Sequence, residues 1–138
     1  MDNGYTPRIL VVDDDPIVQQ FVSSILVQNR YEVFTASDGR QALDAIRELR
    51  PDLVILDLIM PYRDGYEVLR LLREKNETRK IPVIILSAKS REEDIIRGLE
   101  AGAEDFMVKP FNALELVARA RKILARTLDV GTQWTHTS

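Results

Sequence analysis

At 138 residues the chain has the length of one domain and can bury roughly two-thirds of the surface its unfolded form exposes. Hydrophobic residues make up 45% and charged residues 30%, and a net charge of -3 carries none of the basic excess expected of a nucleic-acid surface. Cysteine is absent, which excludes disulfides and thiolate metal sites. No apolar run approaches the ~18–20 residues a membrane-spanning helix needs, and Met1-Asp2-Asn3-Gly4 lacks a signal core, so the expected location is the cytoplasm.

The first apolar run, Ile9-Leu10-Val11-Val12, reads as a buried strand and ends in Asp13-Asp14. Asp15-Pro16 then starts a helix: the acid caps it, and proline suits the first helical position, where a missing N–H costs nothing. Its predicted inner face is Ile17, Phe21, Val22, Ile25 and Leu26. A short strand, Glu32 to Ala36, follows Asn29. Asp38 with Gln41 resembles a capping box, Ala42, Leu43, Ile46 and Leu49 give a helical stripe, and Pro51 stops it. Leu53-Val54-Ile55-Leu56 is a strand ending on Asp57, followed by Leu58-Ile59-Met60-Pro61. Asp64-Gly65, which turn and helix-start chemistry explains, opens a helix carrying Val68, Leu69 and Leu72. Pro82 leads Val83-Ile84-Ile85-Leu86, which ends in Ser87. Ser90 with Glu93 predicts a second capping box, opening a helix with Ile95, Ile96 and Leu99 that Gly102 ends. Phe106-Met107-Val108 ends in Lys109-Pro110. Asn112 with Glu115 predicts a third box, and Leu116, Val117, Ala120, Ile123 and Leu124 carry the last helix to about Thr127. The expected organisation is an extension at 1–7, one domain at 8–127, and a polar tail or start of a linker at 128–138, whose Trp134 and His136 receive no function.

Five βα units with near-continuous apolar strands imply a parallel sheet covered on both faces by helices. The expected fold is α/β, a flavodoxin-like (βα)5 doubly wound sandwich with strand order 2-1-3-4-5, an order borrowed from known folds of this kind. Open sheets of this type place their chemistry at the carboxyl edge of the strands, at the switch point between strands 1 and 3. That rule would gather Asp13, Asp14 and Asp57 in one crevice, with Ser87 and Lys109 at the same edge.

Taken together, Ile9 to Pro16, Leu56 to Pro61 with Asp64-Gly65, Leu86-Ser87-Ala88 and Val108-Lys109-Pro110-Phe111 resemble the receiver domain of two-component response regulators, over about residues 8–127. The resemblance implies a phospho-accepting switch that catalyses only its own phosphorylation and dephosphorylation. Asp57 would be the nucleophile and phosphoryl acceptor. Asp14 and Asp57 would hold Mg2+ (or Mn2+) directly and Asp13 through a water, with a further oxygen from the Ile59 backbone carbonyl, a hard-oxygen set that suits this ion. Lys109, aimed by a cis Lys109–Pro110 bond, would pair with Asp57 at rest and with a phosphoryl oxygen afterwards. Ser87 would donate to another phosphoryl oxygen. Ser87 and Phe106 would form the switch, working by packing because Phe106 lacks a hydroxyl, and would alter the surface of the fourth helix, fifth strand and fifth helix. Ile59 and Lys89 flank the site where the family tunes phosphoryl lifetime, and here they imply a long one. The implied partners are a sensor histidine kinase or histidine phosphotransfer protein, and an output domain or downstream protein, with no nucleic acid or membrane bound by this domain itself. Asp105, Glu115, Arg119 and Arg126 resemble positions used for salt-bridged homodimers through the switching surface; an ordinary solvated charged face explains them as well.

Three other readings compete. A phosphatase of the haloacid dehalogenase type would also use an aspartyl nucleophile, but Ile17 stands where that family wants threonine or valine, and no cap domain fits the length. A flavodoxin-like electron carrier needs a hydroxyl- and glycine-rich phosphate loop where this chain has three acids. A degenerate receiver serving only as an interaction domain is opposed by the complete acidic set.

Overall fold

The computed structural model describes residues 4–136. Strands β1 (Arg8–Val12), β2 (Glu32–Ala36), β3 (Leu53–Leu56), β4 (Val83–Ser87) and β5 (Asp105–Val108) alternate with helices α1 (Pro16–Gln28), α2 (Gly39–Leu49), α3 (Gly65–Glu74), α4 (Glu92–Glu100) and α5 (Ala113–His136). All pairings are parallel and the sheet order is β2-β1-β3-β4-β5, as expected. The last helix runs to His136, beyond the Thr127 at which the sequence reading ended it.

Alternate strand residues feed two cores. Leu10, Val12, Val54, Leu56, Val83 and Ile85 pack with Ala42, Ile46, Val68, Leu69 and Leu72 of α2 and α3. Ile9, Val11, Leu53, Ile55, Ile84, Leu86 and Met107 pack with Val22 and Leu26 of α1 and Leu116, Ala120, Ile123 and Leu124 of α5. A strand buried on both faces has no polar positions to spare, so its first polar residues fall where it leaves the sheet.

The helix starts follow local chemistry. Asp15 accepts the Ile17 N–H, Asp38 the Gln41 N–H, Asp64 the Glu67 N–H and Asn112 the Glu115 N–H, at 2.8–3.0 Å. Each relieves one orphan donor, a contribution of about 1 kcal/mol. Arg50 in the left-handed conformation (φ 48°) ends α2 before Pro51, and Gly102 (φ +112°) follows α4.

Three expectations about helices need correction. The Ser90–Glu93 box does not form: Arg91 precedes α4 without a side-chain cap, and Glu92, Glu93 and Asp94 face the positive end of the helix instead. On α1, Val22 and Leu26 are buried, but Ile17 is 76% and Phe21 51% exposed. The apolar face of α1 is wider than the strip the sheet covers. On α4, Ile96 and Leu99 point outward and the buried residue is Gly98. A Cβ there would meet Ile85 Cδ1 at 2.7 Å and the Phe106 ring at 3.1 Å, so the helix backbone approaches the sheet along its glycine side and the stripe turns away.

Candidate functional site

The sheet register assembles the site. Val12 pairs with Leu56, so Asp13 and Asp57 leave adjacent strands at the same level. Backbone bonds carry the ladder one step further: Asp13 N–H to Ala36 O (3.1 Å), Asp57 N–H to Val12 O (3.0 Å) and Lys109 N–H to Ser87 O (2.8 Å). The Lys109–Pro110 peptide is cis.

Lys109 Nζ lies 2.7 Å from Asp13 Oδ2 and 3.1 Å from Asp57 Oδ2. Asp13 and Asp57 are buried. Asp13 Oδ1 accepts the Asp15 N–H at 2.9 Å, and Asp57 Oδ1 accepts the Ile59 N–H at 3.2 Å. Asp14 is exposed, yet one oxygen from each of Asp13, Asp14 and Asp57 falls within 4.8 Å of the others. Three carboxylates against one ammonium leave two formal negative charges. Like charges about 4 Å apart repel by about 4 kcal/mol at an effective dielectric of about 20.

Protonation follows burial first and the neighbouring charges second. Burial pushes the Asp13 carboxyl above its ordinary value and the Asp57 charge pushes it further, against the lowering by Lys109 and the Asp15 amide. Burial alone would lower Lys109; the bond to Asp13 and the charges of Asp57 and Asp13 outweigh it, and the ammonium is held above its usual range. A simple ion pair would move the acid down and the base up. Here the acid moves up, chiefly because its burial outweighs the pairing with Lys109. Hard carboxylate oxygens carrying two uncompensated charges fit a divalent ion such as Mg2+.

The other expected residues stand around this group. Ser87 is fully buried at the end of β4, and its Oγ accepts the Lys89 N–H at 3.3 Å. Ile59 is 52% exposed at the rim. Phe106 packs partly against the α2–α3 core, its ring beside Gly98. Asp105, Glu115 and Arg119 are joined within the chain: Arg119 reaches both Asp105 oxygens at 2.7 Å and Glu115 at 2.6 Å.

Two contacts around the site were not read from the sequence. Gly65 starts α3 against the acceptor's own backbone: its N–H donates to Leu58 O at 2.9 Å, and a Cβ would collide with the Asp57 carbonyl oxygen. Gln19 Nε2 reaches Asp13 O at 2.6 Å, Ala36 O at 3.0 Å and Ser37 Oγ at 3.1 Å. The available signal for Gln19 was an amide one helical turn past the Asp15 cap, beside the sheet-facing Val18 and Val22, with its neighbour Gln20 on the exposed side.

Beside the acids, Ile17 and Phe21 present exposed apolar surface on the first two turns of α1. The Phe21 ring lies 5.9 Å from that of Phe111, which follows Lys109-Pro110.

An open parallel sheet with an acid cluster and a lysine at its switch point defines a known class of α/β signalling domain, and the comparisons narrow it. The family described as response regulator receiver domain matches residues 9–121. The DNA-binding response regulator MtrA of Mycolicibacterium smegmatis is 46% identical over 122 residues, 88% of this chain and 52% of the relative. The transcriptional regulatory protein PrrA of Mycobacterium tuberculosis is 45% identical over 138 residues, 99% of this chain and 58% of the relative. Among solved structures, the receiver domain of the Francisella response regulator 1452 superposes with a TM-score of 0.84 at 38% identity, covering 88% of this chain and 99% of that one. The chemotaxis response regulator CheY4 of Vibrio cholerae gives 0.81 at 33%, covering 86% and 99%.

The chain belongs to the response regulator receiver family, signalling domains of two-component systems. It spans about half the length of the curated relatives it matches. Among the described residues no helix is long and apolar enough to cross a membrane.

Proposed function

We propose that the domain takes a phosphoryl group from a histidine-bearing donor protein onto Asp57 and uses it to change the surface formed by α4, β5 and α5. The observation that carries this is the bridge from Lys109 Nζ to Asp13 and Asp57 within a three-acid cluster at the switch point. An Asp57 oxygen forms a bond to phosphorus as the P–N bond of the donor's phosphohistidine breaks. Such a transfer needs positioning and charge neutralisation above all. Lys109 supplies a fixed positive charge to the incoming oxygens, and the Ser87 hydroxyl, at the end of the neighbouring strand, donates to another. Asp13, Asp14, Asp57 and the Ile59 carbonyl would hold Mg2+, whose chemistry is to neutralise charge on the phosphoryl oxygens.

The phosphoryl group adds about -1.5 to -2 charge and three acceptor oxygens. Ser87 moves toward it, and Phe106 turns into the space released. Because Phe106 rests against Gly98, that rotation reaches α4 directly. A complete flip from 1:99 to 99:1 takes about 5.5 kcal/mol of preference, so one phosphoryl group shifts the population partway and a partner or second copy completes it. The Ile17 and Phe21 patch, with half-buried Phe111 beside it, receives the donor, since exposed apolar surface beside a site marks a contact face. MtrA and PrrA are named as DNA-binding or transcriptional regulators, which supports a transcriptional output through other parts of such a protein. Apolar Ile59 at the rim slows attack by water and gives the phosphoryl group a long lifetime; loss of the label within seconds would refute that.

Intact-mass measurement after incubation with acetyl phosphate and Mg2+ tests the central reading. A gain of one phosphoryl group that Asp57→Asn abolishes is expected. No gain with either this donor or a beryllofluoride mimic would favour a receiver that only docks.

A further inference from the structure

We infer that Gln19 is a positioning residue for the bound cation: its side-chain amide fixes the Asp13–Asp14 peptide and thereby aims the Asp14 carboxylate. The inference rests on the receiver reading above and concerns how the acid set is held. Asp13 and Asp57 are fixed by Lys109 and by backbone donors, but exposed Asp14 accepts no hydrogen bond among the described residues. Its aim therefore depends on its backbone. The Asp13 carbonyl belongs to the same rigid peptide unit as the Asp14 nitrogen. That carbonyl accepts the Gln19 amide at 2.6 Å.

The same NH2 group reaches Ala36 O and Ser37 Oγ, so one side chain ties the end of β1 to the end of β2 where the acidic loop begins. Two hydrogens serve three acceptors, so one is shared. The clamp is braced on both sides. Ala36 O also accepts the Asp13 N–H, and the Ser37 N–H donates to Gln41 Oε1 at 2.8 Å. Asp13 is thus held at its N–H, its carbonyl and both carboxylate oxygens, and with the Asp15 N–H also bonded to Asp13 Oδ1 the peptides on both sides of Asp14 are fixed, which narrows its backbone freedom and leaves chiefly its side-chain torsions. Gln19 touches neither cation nor phosphoryl group. It acts through the peptide, as outer-shell partners of metal ligands do, and their removal typically costs about 10–100-fold in affinity.

Gln19→Met keeps the length and removes the donors. Titration calorimetry with MgCl2 on the whole chain, at a temperature where urea melts show the variant fully folded, should give a dissociation constant weaker by about tenfold. Asn29→Ala serves as the comparison. It removes a bond to Ile25 O at the far end of α1, and should cost stability while leaving Mg2+ affinity unchanged. A Gln19→Met affinity within about twofold of wild type overturns the inference and leaves the receiver reading standing. Wild-type protein that binds no Mg2+ overturns both. One measurement on wild type needs no variant: the Gln19 side-chain amide protons should exchange slowly and shift as MgCl2 is added. Fast exchange with no shift overturns the inference even if Gln19→Met does not fold.

Discussion

Gly65→Ala adds one methyl group, and the structure says what it must meet. The new Cβ would fall against the Asp57 carbonyl oxygen, 2.7 Å from Leu58 Cα and 3.1 Å from the Asp57 carbonyl carbon. All are backbone atoms, with no flexible side-chain tip to swing aside. Carbon atoms prefer separations of about 3.5–4.0 Å, so the start of α3 must retreat from β3 by roughly 1 Å. Overpacking of this kind costs about 1–3 kcal/mol. The retreat also stretches the 2.9 Å bond from Gly65 N–H to Leu58 O, worth about 0.5–1.5 kcal/mol. Alanine's better helix propensity returns at most about 1 kcal/mol. The net expectation is a loss of about 2 kcal/mol, or roughly 6 °C in melting temperature for a domain of this size. Because the displaced atoms are the acceptor's own backbone, labelling by acetyl phosphate should also slow by about tenfold or more, since a 1 Å misplacement can cost about 100-fold. Urea melts and time-resolved intact mass measure the two effects. Stability within about 0.5 kcal/mol of wild type, together with unchanged labelling, would refute the close-approach argument.

Lys109→Met removes the cation between Asp13 and Asp57 and leaves two buried like charges; in Mg2+-free buffer it should cost about 2–3 kcal/mol, less than a fully buried pair because Nζ retains some solvent, and added MgCl2 should restore part of the loss. A urea midpoint indifferent to both changes would contradict the electrostatic account. Ile17→Asp or Phe21→Asp should leave acetyl phosphate labelling near wild type and slow transfer from a cognate phosphohistidine donor by about tenfold or more, as loss of an interface anchor does; equal slowing with both donors would mean the patch supports the fold instead. Tyr5 ionises above the ordinary tyrosine value, chiefly because its hydroxyl donates to Asp52 at 2.6 Å, with burial next. The folded chain keeps that proton longer than the unfolded chain, so the contribution is complete below pH about 10 and fades as pH rises through the higher folded value. Absorbance titration should show two late tyrosines, Tyr5 and Tyr66, the latter raised chiefly by burial, and Asp52→Asn should bring back only Tyr5.

The sheet and its acid edge were legible because they follow from runs of residues: a strand buried on both faces has to end where polarity begins, and Asp13, Asp57, Ser87 and Lys109 all sit at such ends. The order of the strands came from known folds, and the register then set Asp13 beside Asp57. The inner faces of α1 and α4 were misread for a different reason. Periodicity finds an apolar face but does not say which part of it the sheet covers, so Ile17 and Phe21 were placed inside. On α4 the contact residue was Gly98, which carries no hydrophobic signal at all. Gln19, and the close approach of Gly65 to the acceptor's backbone, escaped because their contacts are set by the fold. Gln19 meets Ala36 and Ser37 at the end of the neighbouring strand, and Gly65, read only as a turn residue, meets Asp57 and Leu58 across the β3–α3 loop.

The glycine contact of α4 bears on the order in which the domain comes apart. An element whose only buried residue is Gly98 gives up little apolar surface of its own when it lifts away, and what it uncovers is chiefly Ile85 and the Phe106 ring, so detaching α4 costs less free energy than global unfolding. Its amides should then exchange with solvent through a local opening that leaves β1, β3 and β4 intact. In that sense α4 is a weakly tethered cover on a rigid sheet, and a signal arriving at Phe106 needs to work only against the local tether.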